Sequence, residues 1–223
     1  MKRVWSTRAA AVSLLKRSGR TLFARMATDV PERLELALVT RVARPPEGDG
    51  WLHEVKFDGY RIMARMDAVG GVRLITRNGN DWTARAPGVV ASIEALKLRN
   101  AVFDGEAVLF HSDGRPNFHG LRGRAGARQI AYVAFDALFM GGRDLRGAAL
   151  VGRQRELAAA VPPERRNAWL YMSESFDASG SAVLAAASKL GVEGIVSKRR
   201  GRPYPAGRTR DWVKTLNQAY RRT

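Results

Sequence analysis

Cysteine is absent from this 223-residue sequence and histidine occurs only three times. The first absence excludes disulfides and cysteine-ligated zinc, and it suits a reducing cytosol. The spacing of His53, His111 and His119 does not suggest a metal cluster. No run of about 18 apolar residues occurs, so no membrane span is expected. Internal repeats are missing too. Acidic residues are scarce: 21 Asp and Glu stand against 38 Lys and Arg, a formal charge of +17. Such a surplus favours a polyanionic partner, most simply nucleic acid. The arginines are spread along the whole chain, which argues against a basic tail as the source of the charge. The length allows one good core, or one larger and one smaller lobe.

Residues 1–25 contain no acid and are rich in Arg, Ala, Ser and Leu. That composition suits an organellar transit peptide or a basic amphipathic helix. We expect an extension outside the fold, with the globular part beginning at Met26. Residues 32–44 approach the core with scattered apolar positions, and Pro45 to Gly50 is a loop by its punctuation. Trp51 to Phe57 then reads as a strand, Asp58-Gly59 as a tight turn and Tyr60 to Met66 as a second strand. Val72 to Thr76 follows as a strand, and Gly88 to Lys97 as a helix with Val89, Val90, Ile93 and Leu96 on one face. Ala101 to His111 is a long strand. Period-two alternation places Val102, Asp104, Glu106 and Val108 on one face and Phe103, Gly105, Ala107 and Leu109 on the other. Asn117 to Arg128 is rich in glycine and arginine, a short helix or a phosphate-facing loop, and Arg122, Arg124 and Arg128 are placed to track a DNA backbone. Further strands are expected over 130–138, 168–172, 191–198 and 211–216. Helices are expected over 150–160, stopped by Pro162-Pro163, and 178–190.

The stretch that organises the chain is Trp51 to Arg61, WLHEVKFDGYR. A lysine at the mouth of a strand-turn-strand unit is an unusual place for a charge. An amine attacks phosphorus or carbonyl centres only when neutral, so a nucleophilic Lys56 needs partial desolvation or a nearby cation. The plainer reading is a solvated lysine before a hairpin.

This stretch resembles motif I, K-x-D-G-x-R, of the covalent nucleotidyltransferases: ATP-dependent DNA ligases, RNA ligases and mRNA capping enzymes. LITRNG with Arg77 resembles motif Ia, FDGEAV with Glu106 motif III, and YVAFDAL with Phe135 motif IIIa. EGIVSK with Glu193 resembles motif IV, and DWVK with Lys214 half of motif V. Six matches in the correct order span residues 51–216. Their wording looks most like the ligase domain of the bacterial end-joining ligase D group and its small stand-alone relatives.

The resemblance implies an α+β, ATP-grasp-like DNA ligase adenylation fold. Its two mostly antiparallel sheets would be flanked by helices and would hold the nucleotide in the groove between them. It implies residues 26–216 as that domain, with 217–223 as a tail too short for the five-stranded OB-fold that follows motif V in DNA ligases. Lys56 would attack the α-phosphate of ATP and keep AMP as a phosphoramidate; the AMP would pass to the 5′-phosphate of a nick, and a 3′-hydroxyl would displace it. Glu54 would place the adenine, and Phe135 would stack on it. Arg61 and Arg77 would hold ribose and phosphates. Glu106 would bind ribose or help to set a metal, with its neighbour Asp104 as a structural partner instead. Glu193 would coordinate Mg²⁺ (or Mn²⁺). Lys214 would contact the α-phosphate, with Arg208 and Lys198 in the same region. The implied partners are nicked or broken double-stranded DNA and a separate OB-fold or end-joining protein. The implied location is the bacterial cytoplasm beside the nucleoid, with organellar targeting by residues 1–25 as the alternative. The given sequence departs from the pattern in two places: motif V usually reads K-x-K, and Leu216 stands where the second lysine belongs; and residues 217–223 are too few for the OB-fold expected next. Two rival functions remain: an RNA ligase or capping-type nucleotidyltransferase, and a nick- or end-binding protein that has lost its chemistry.

Overall fold

The computed structural model describes residues 30–112, 114, 116–123 and 129–221. Residues 1–25, Arg124 and Arg128 lie outside the described residues, as does the side chain of Arg122.

Eleven strands form two sheets among the described residues. The first sheet has the order β1 (Ala37–Arg41), β11 (Gly207–Leu216), β10 (Gly194–Arg199), β2 (Trp51–Lys56), β9 (Ser175–Phe176). The second runs β4 (Val72–Thr76), β3 (Tyr60–Met66), β5 (Ala101–Val108), β6 (Ala131–Met140), β7 (Arg143–Asp144), with β8 (Leu170–Met172) paired to β6. Two pairings are parallel, β1 with β11 and β6 with β8; all others are antiparallel. Three helices pack outside: α1 (Pro87–Glu94), α2 (Leu150–Ala160) and α3 (Gly180–Lys189). The expected α+β architecture with two mostly antiparallel sheets is what forms.

Each helix has a local cause. Pro87 opens α1, where its missing N–H costs nothing. Ser179 caps α3 by accepting from the Ala182 N–H at 3.3 Å, and the distant Glu47 carboxylate accepts from the N–H groups of Gly180 and Ser181, both at 2.9 Å. Pro162-Pro163 follows α2. The apolar faces define three clusters. One lies between the second sheet and α1, around Ile62, Val89, Ile93 and Phe103. Another lies between the two sheets, around Leu52, Met63, Val102, Leu138 and Trp212. The third packs Val183 and Ala187 of α3 on Ile195. The alternation on β5 holds: Val102 joins the inter-sheet cluster and Phe103 the opposite one.

The structure corrects the sequence reading in three places. The strands flanking Asp58-Gly59 are not a hairpin: β2 pairs with β10 and β9, whereas β3 pairs with β4 and β5. The turn after Lys56 therefore crosses from one sheet to the other. It lies so close to β5 that a Cβ at Gly59 would run into the Ala107 carbonyl oxygen. Strand β1 was hidden in the scattered apolar stretch, because its partner β11 lies far along the chain. Residues 199–210, which read from their arginines, prolines and glycines as a basic loop, hold a shorter one, since Gly207 to Arg210 belong to β11. Asn217 and Tyr220, beyond β11, hydrogen-bond back to the domain, as described below. No helix among the described residues is long and apolar enough to cross a membrane.

Candidate active site

Between the sheets lies a cavity of about 440 Å³, within the usual size range for small-molecule sites. Its lining includes seven of the residues expected from the motifs, Glu54, Lys56, Arg61, Arg77, Glu106, Phe135 and Lys214, together with Lys198. Glu193 touches the same site through Lys56. Arg208 does not line it: it is exposed on β11, opposite Leu38.

At the mouth, the register of β2 and β10 sets Lys56 opposite Gly194, so Glu193 stands beside the lysine. Lys56 Nζ donates to Glu193 Oε2 at 2.6 Å, with the two side chains 19% and 14% exposed. Gly194 has φ +150, and a Cβ there would strike the Thr215 carbonyl oxygen, so motif IV admits only glycine at this crossing. Glu106 faces the pair from the other sheet. Burial pushes its carboxyl up to about 7; the charges of Lys56 and Arg61 oppose the rise, and those of Asp104 and Glu193 add to it. Lys214 sits on β11 opposite Val196. Burial lowers its pKa, the Lys56 charge lowers it further, and Glu193 opposes. Arg41 and Arg208 add to the positive field there. The sequence called for desolvation or a nearby cation around Lys56; the structure supplies a carboxylate in contact and Lys214 within electrostatic reach. Arg77 is exposed at the start of the turn after β4, and its backbone N–H donates to the Arg61 carbonyl at 3.1 Å. Asn78 and Asn80 of the same turn also line the groove.

At the floor every charge already has a protein partner. Glu54 is 2% exposed. Its Oε1 is 2.7 Å from Lys198 Nζ and accepts from Gln154 Nε2 at 2.8 Å and Ser175 Oγ at 3.2 Å. Burial lifts its carboxyl above the ordinary value and Lys198 works against that. Lys198, expected near the phosphates, lines the cavity at its aromatic floor, 4.5 Å from the Phe135 ring centre and 4.4 Å from that of Trp212. Arg61 was expected to hold ribose and phosphates. Its Nε and one NH2 nitrogen donate to the two Asp104 oxygens at 2.8 and 2.5 Å, and its other nitrogen to the Ala37 carbonyl at 2.7 Å. Burial works against the guanidinium charge, but Asp104 outweighs it, so the pKa of Arg61 is raised. The Tyr204 hydroxyl completes the cluster, donating to Asp104 at 2.6 Å and accepting from the Ala37 N–H at 3.1 Å. Asp104 is thus the structural partner anticipated for it. Sequence reading missed Tyr204, Gln154 and Trp212 in these roles. Trp212 and Tyr204 carried a signal, since both stand inside the ligase-like stretch PYPAGRTRDWVK; Gln154 carried none.

The carboxylates present fit Mg²⁺. That ion takes one or two carboxylates plus substrate phosphates rather than an all-protein cage. Glu193 and Glu106 flank Lys56, and no cluster of three metal-type side chains exists among the described residues. His53 is buried, with Nδ1 2.8 Å from Ser197 Oγ, an ordinary core contact.

The family model of the ATP dependent DNA ligase domain matches residues 25–215. The chain belongs to this family. The multifunctional non-homologous end joining protein LigD of Pseudomonas aeruginosa is 38% identical over 190 residues, 84% of this chain and 22% of that protein. LigD of Mycobacterium tuberculosis is 36% identical over 165 residues, 74% of this chain and 21% of that protein. A probable DNA ligase of Streptomyces coelicolor is 36% identical over 174 residues, 72% of this chain and 34% of that protein. The chain spans about a fifth of the LigD relatives' length and about a third of the probable ligase's. A solved structure of mycobacterial DNA ligase D complexed with ATP and MES superposes with TM-score 0.72 at 33% identity, covering 82% of this chain and 60% of that one. The ATP-dependent ligase of bacteriophage T7 shares the fold at TM-score 0.56 and 15% identity, covering 76% of this chain and 63% of that one.

Proposed function

We propose that this ligase-family domain forms a covalent lysyl-AMP at Lys56 and serves ATP-dependent sealing of nicked or broken double-stranded DNA in repair. The observation that carries the reading is Lys56 at the mouth of a nucleoside-sized groove, in contact with Glu193 and opposite Glu106. The Lys56 nitrogen attacks the α-phosphate of ATP, the bond to the β-phosphate oxygen breaks, pyrophosphate leaves, and the amine proton passes to Glu193 or solvent. Mg²⁺, when bound, neutralises phosphate charge, and Glu193 and Glu106 are the side chains that would hold it. Lys214 and Arg77 have no ion-pair partner among the described residues, so we assign them the phosphates. Phe135 supplies a face for the adenine, and Glu54 an acceptor at its edge. Arg61, held by Asp104, Ala37 and Tyr204, lies 5.2 Å from the Phe135 ring centre, and its fifth N–H is left for the ribose. Arg208 contributes field only.

The positive charge of the chain supports binding to a DNA backbone and predicts strong salt dependence. A second protein carrying an OB-fold or an end-joining activity would complete the enclosure of DNA, and the bacterial cytoplasm beside the nucleoid is the corresponding location.

The test is autoadenylation. Protein is incubated with ATP labelled on the α-phosphate and with Mg²⁺, then denatured, with Lys56→Ala as control. Label that depends on Lys56 is the expected result. Label from GTP in preference to ATP would move the reading to a capping-type enzyme. Leu216, in place of a second motif V lysine, favours one other reading, a nick- or end-binding domain without chemistry. Binding of nicked DNA without any label would establish it.

A further inference from the structure

The ladder between β2 and β10 ends at the Lys56–Gly194 pair. The two ends of the Lys56–Glu193 contact therefore hang from the last rung, where strand pairing no longer fixes them and where opening is easiest. Residues 217–220 bridge these loose ends. The Asn217 N–H donates to the Glu193 carbonyl at 2.9 Å, and Asn217 Nδ2 donates to the Val192 carbonyl at 3.1 Å. Asn217 also closes its own turn: its carbonyl accepts from the Tyr220 N–H at 3.2 Å and its side-chain oxygen from the Ala219 N–H at 3.0 Å. That turn aims the Tyr220 hydroxyl at Asp58, to which it donates at 3.0 Å. Asp58 is two residues from Lys56 and 2% exposed. A carboxylate so buried requires hydrogen bonds, and each one it has constrains the turn that carries the lysine.

We infer that the Asn217–Tyr220 turn is a clamp, and that Tyr220 is a positioning residue for the reaction at Lys56. One end of the clamp grips the backbone at Glu193. The other grips the side chain of the motif I aspartate. Between them the Nζ–Oε2 contact is held at 2.6 Å. The contact of the Tyr220 side chain that bears on the lysine is its hydrogen bond to Asp58, so its effect on the reaction is a positioning one. The role assigned to Lys56 rests on the function proposed above; the clamp itself does not.

Two measurements separate the claims, using Tyr220→Phe, which keeps the ring and removes the hydroxyl, and Asn217→Ala. The first is competitive acetylation, read peptide by peptide by mass spectrometry without ATP, with exposed Lys97 as internal reference. Loss of the clamp loosens the ion pair that shields the Lys56 amine, and acetylation of Lys56 relative to Lys97 is expected to rise about threefold, with an unchanged melting temperature. The second is single-turnover lysyl-AMP formation. Its rate at saturating ATP is expected to fall about tenfold while the half-saturating ATP concentration stays put, the loss of one hydrogen bond to a charged group. Unchanged Lys56 acetylation in both variants would overturn the clamp. So would a uniform rise at every lysine with a lowered melting temperature, which marks a general structural role. If the parent protein forms no lysyl-AMP, the proposed function fails, and acetylation still decides the clamp.

Discussion

The floor and the mouth of the groove treat charge in opposite ways. At the floor, Glu54, Lys198, Arg61 and Asp104 are bound to one another and to Gln154, Ser175, Tyr204 and Ala37 before any ligand arrives. Buried charges are tolerable only when so paired. The floor is thus a rigid, preorganised surface with two aromatic rings, suited to a base whose shape does not change during reaction. At the mouth, Lys56 and Glu193 share one contact, Glu106 holds its proton toward neutral pH, and Lys214 carries a charge that its surroundings disfavour. Each of these tensions would be relieved by the phosphates and cation of the proposed reaction. Charge left unbalanced in the free protein is charge available where the reaction develops it. Floor changes should therefore cost stability, and mouth changes should cost chemistry.

The sharpest test of that division is Lys56→Ala. We expect complete loss of α-phosphate label, with urea-denaturation stability within about 1 kcal/mol of the parent, since one end of a single part-buried ion pair at the solvent-facing mouth is removed. Its counterpart at the floor is Asp104→Ala. Removing one partner of a buried pair strands the other charge, so about 3 kcal/mol of stability should be lost, read as a shifted urea midpoint. Should Asp104→Ala leave the midpoint in place, the floor is not the rigid element described here.

What the sequence made legible follows the same division. The mouth residues lie in short motifs, and their strands read correctly because two-residue alternation is a local signal: Asp104 and Glu106 share a face, as their spacing required. The floor was assembled by contacts that no local pattern carries. Gln154 reaches Glu54 from a helix a hundred residues on. Tyr204 lies in a stretch that reads as a basic loop, yet its hydroxyl ties β1 to β5. Lys198 and Arg61 read from the sequence as cations for the nucleotide, and nothing local announced the buried carboxylates, Glu54 and Asp104, that each meets in the fold. Strand β1 was unreadable for a related reason: a short edge strand whose parallel partner lies about 170 residues away leaves no turn signal.

At the mouth, Lys214→Ala should slow lysyl-AMP formation about a hundredfold, the usual cost of one preorganised electrostatic contact, or about 2.7 kcal/mol of transition-state stabilisation. Stability should hold or rise slightly, because a disfavoured charge is removed. Glu106→Gln sharpens the comparison through pH. The Glu106 carboxyl ordinarily ionises near 4.5 and here near 7. Between those values the unfolded chain has released a proton that the folded one keeps, so rising pH favours unfolding across this window. The contribution is full below pH 4.5 and lost as pH rises through 7. Glu54 and Asp136 are displaced in the same direction, and His53 in the direction that gives the opposite slope, so the difference between parent and variant isolates Glu106. Measured without divalent cations, Glu106→Gln should fall less steeply than the parent from pH 5 to 7 and should be the more stable of the two at pH 8. Parallel curves would mean that Glu106 titrates normally and that the mouth carries no stored charge there.

The smallest expected effect comes from Leu216. It pairs with Gly194, which in turn pairs with Lys56, so the three positions form one row across β11, β10 and β2. Neighbouring strands are about 4.8 Å apart, which puts Leu216 about 10 Å from the nucleophile, with a glycine and no side chain between. A lysine side chain extends far enough to bring its ammonium over that glycine, beside whatever lies against Lys56. If phosphates sit there, Leu216→Lys should speed lysyl-AMP formation a few fold, about 0.5–1 kcal/mol for a partly solvated charge contact. A cation added to a mouth already crowded by Lys56, Lys214, Arg41 and Arg208 repels them in the free protein, so the gain should grow with ATP bound and shrink at high salt. A slower variant would place the phosphates elsewhere along the groove and would make the leucine an accommodation to surplus positive charge rather than a lost contact.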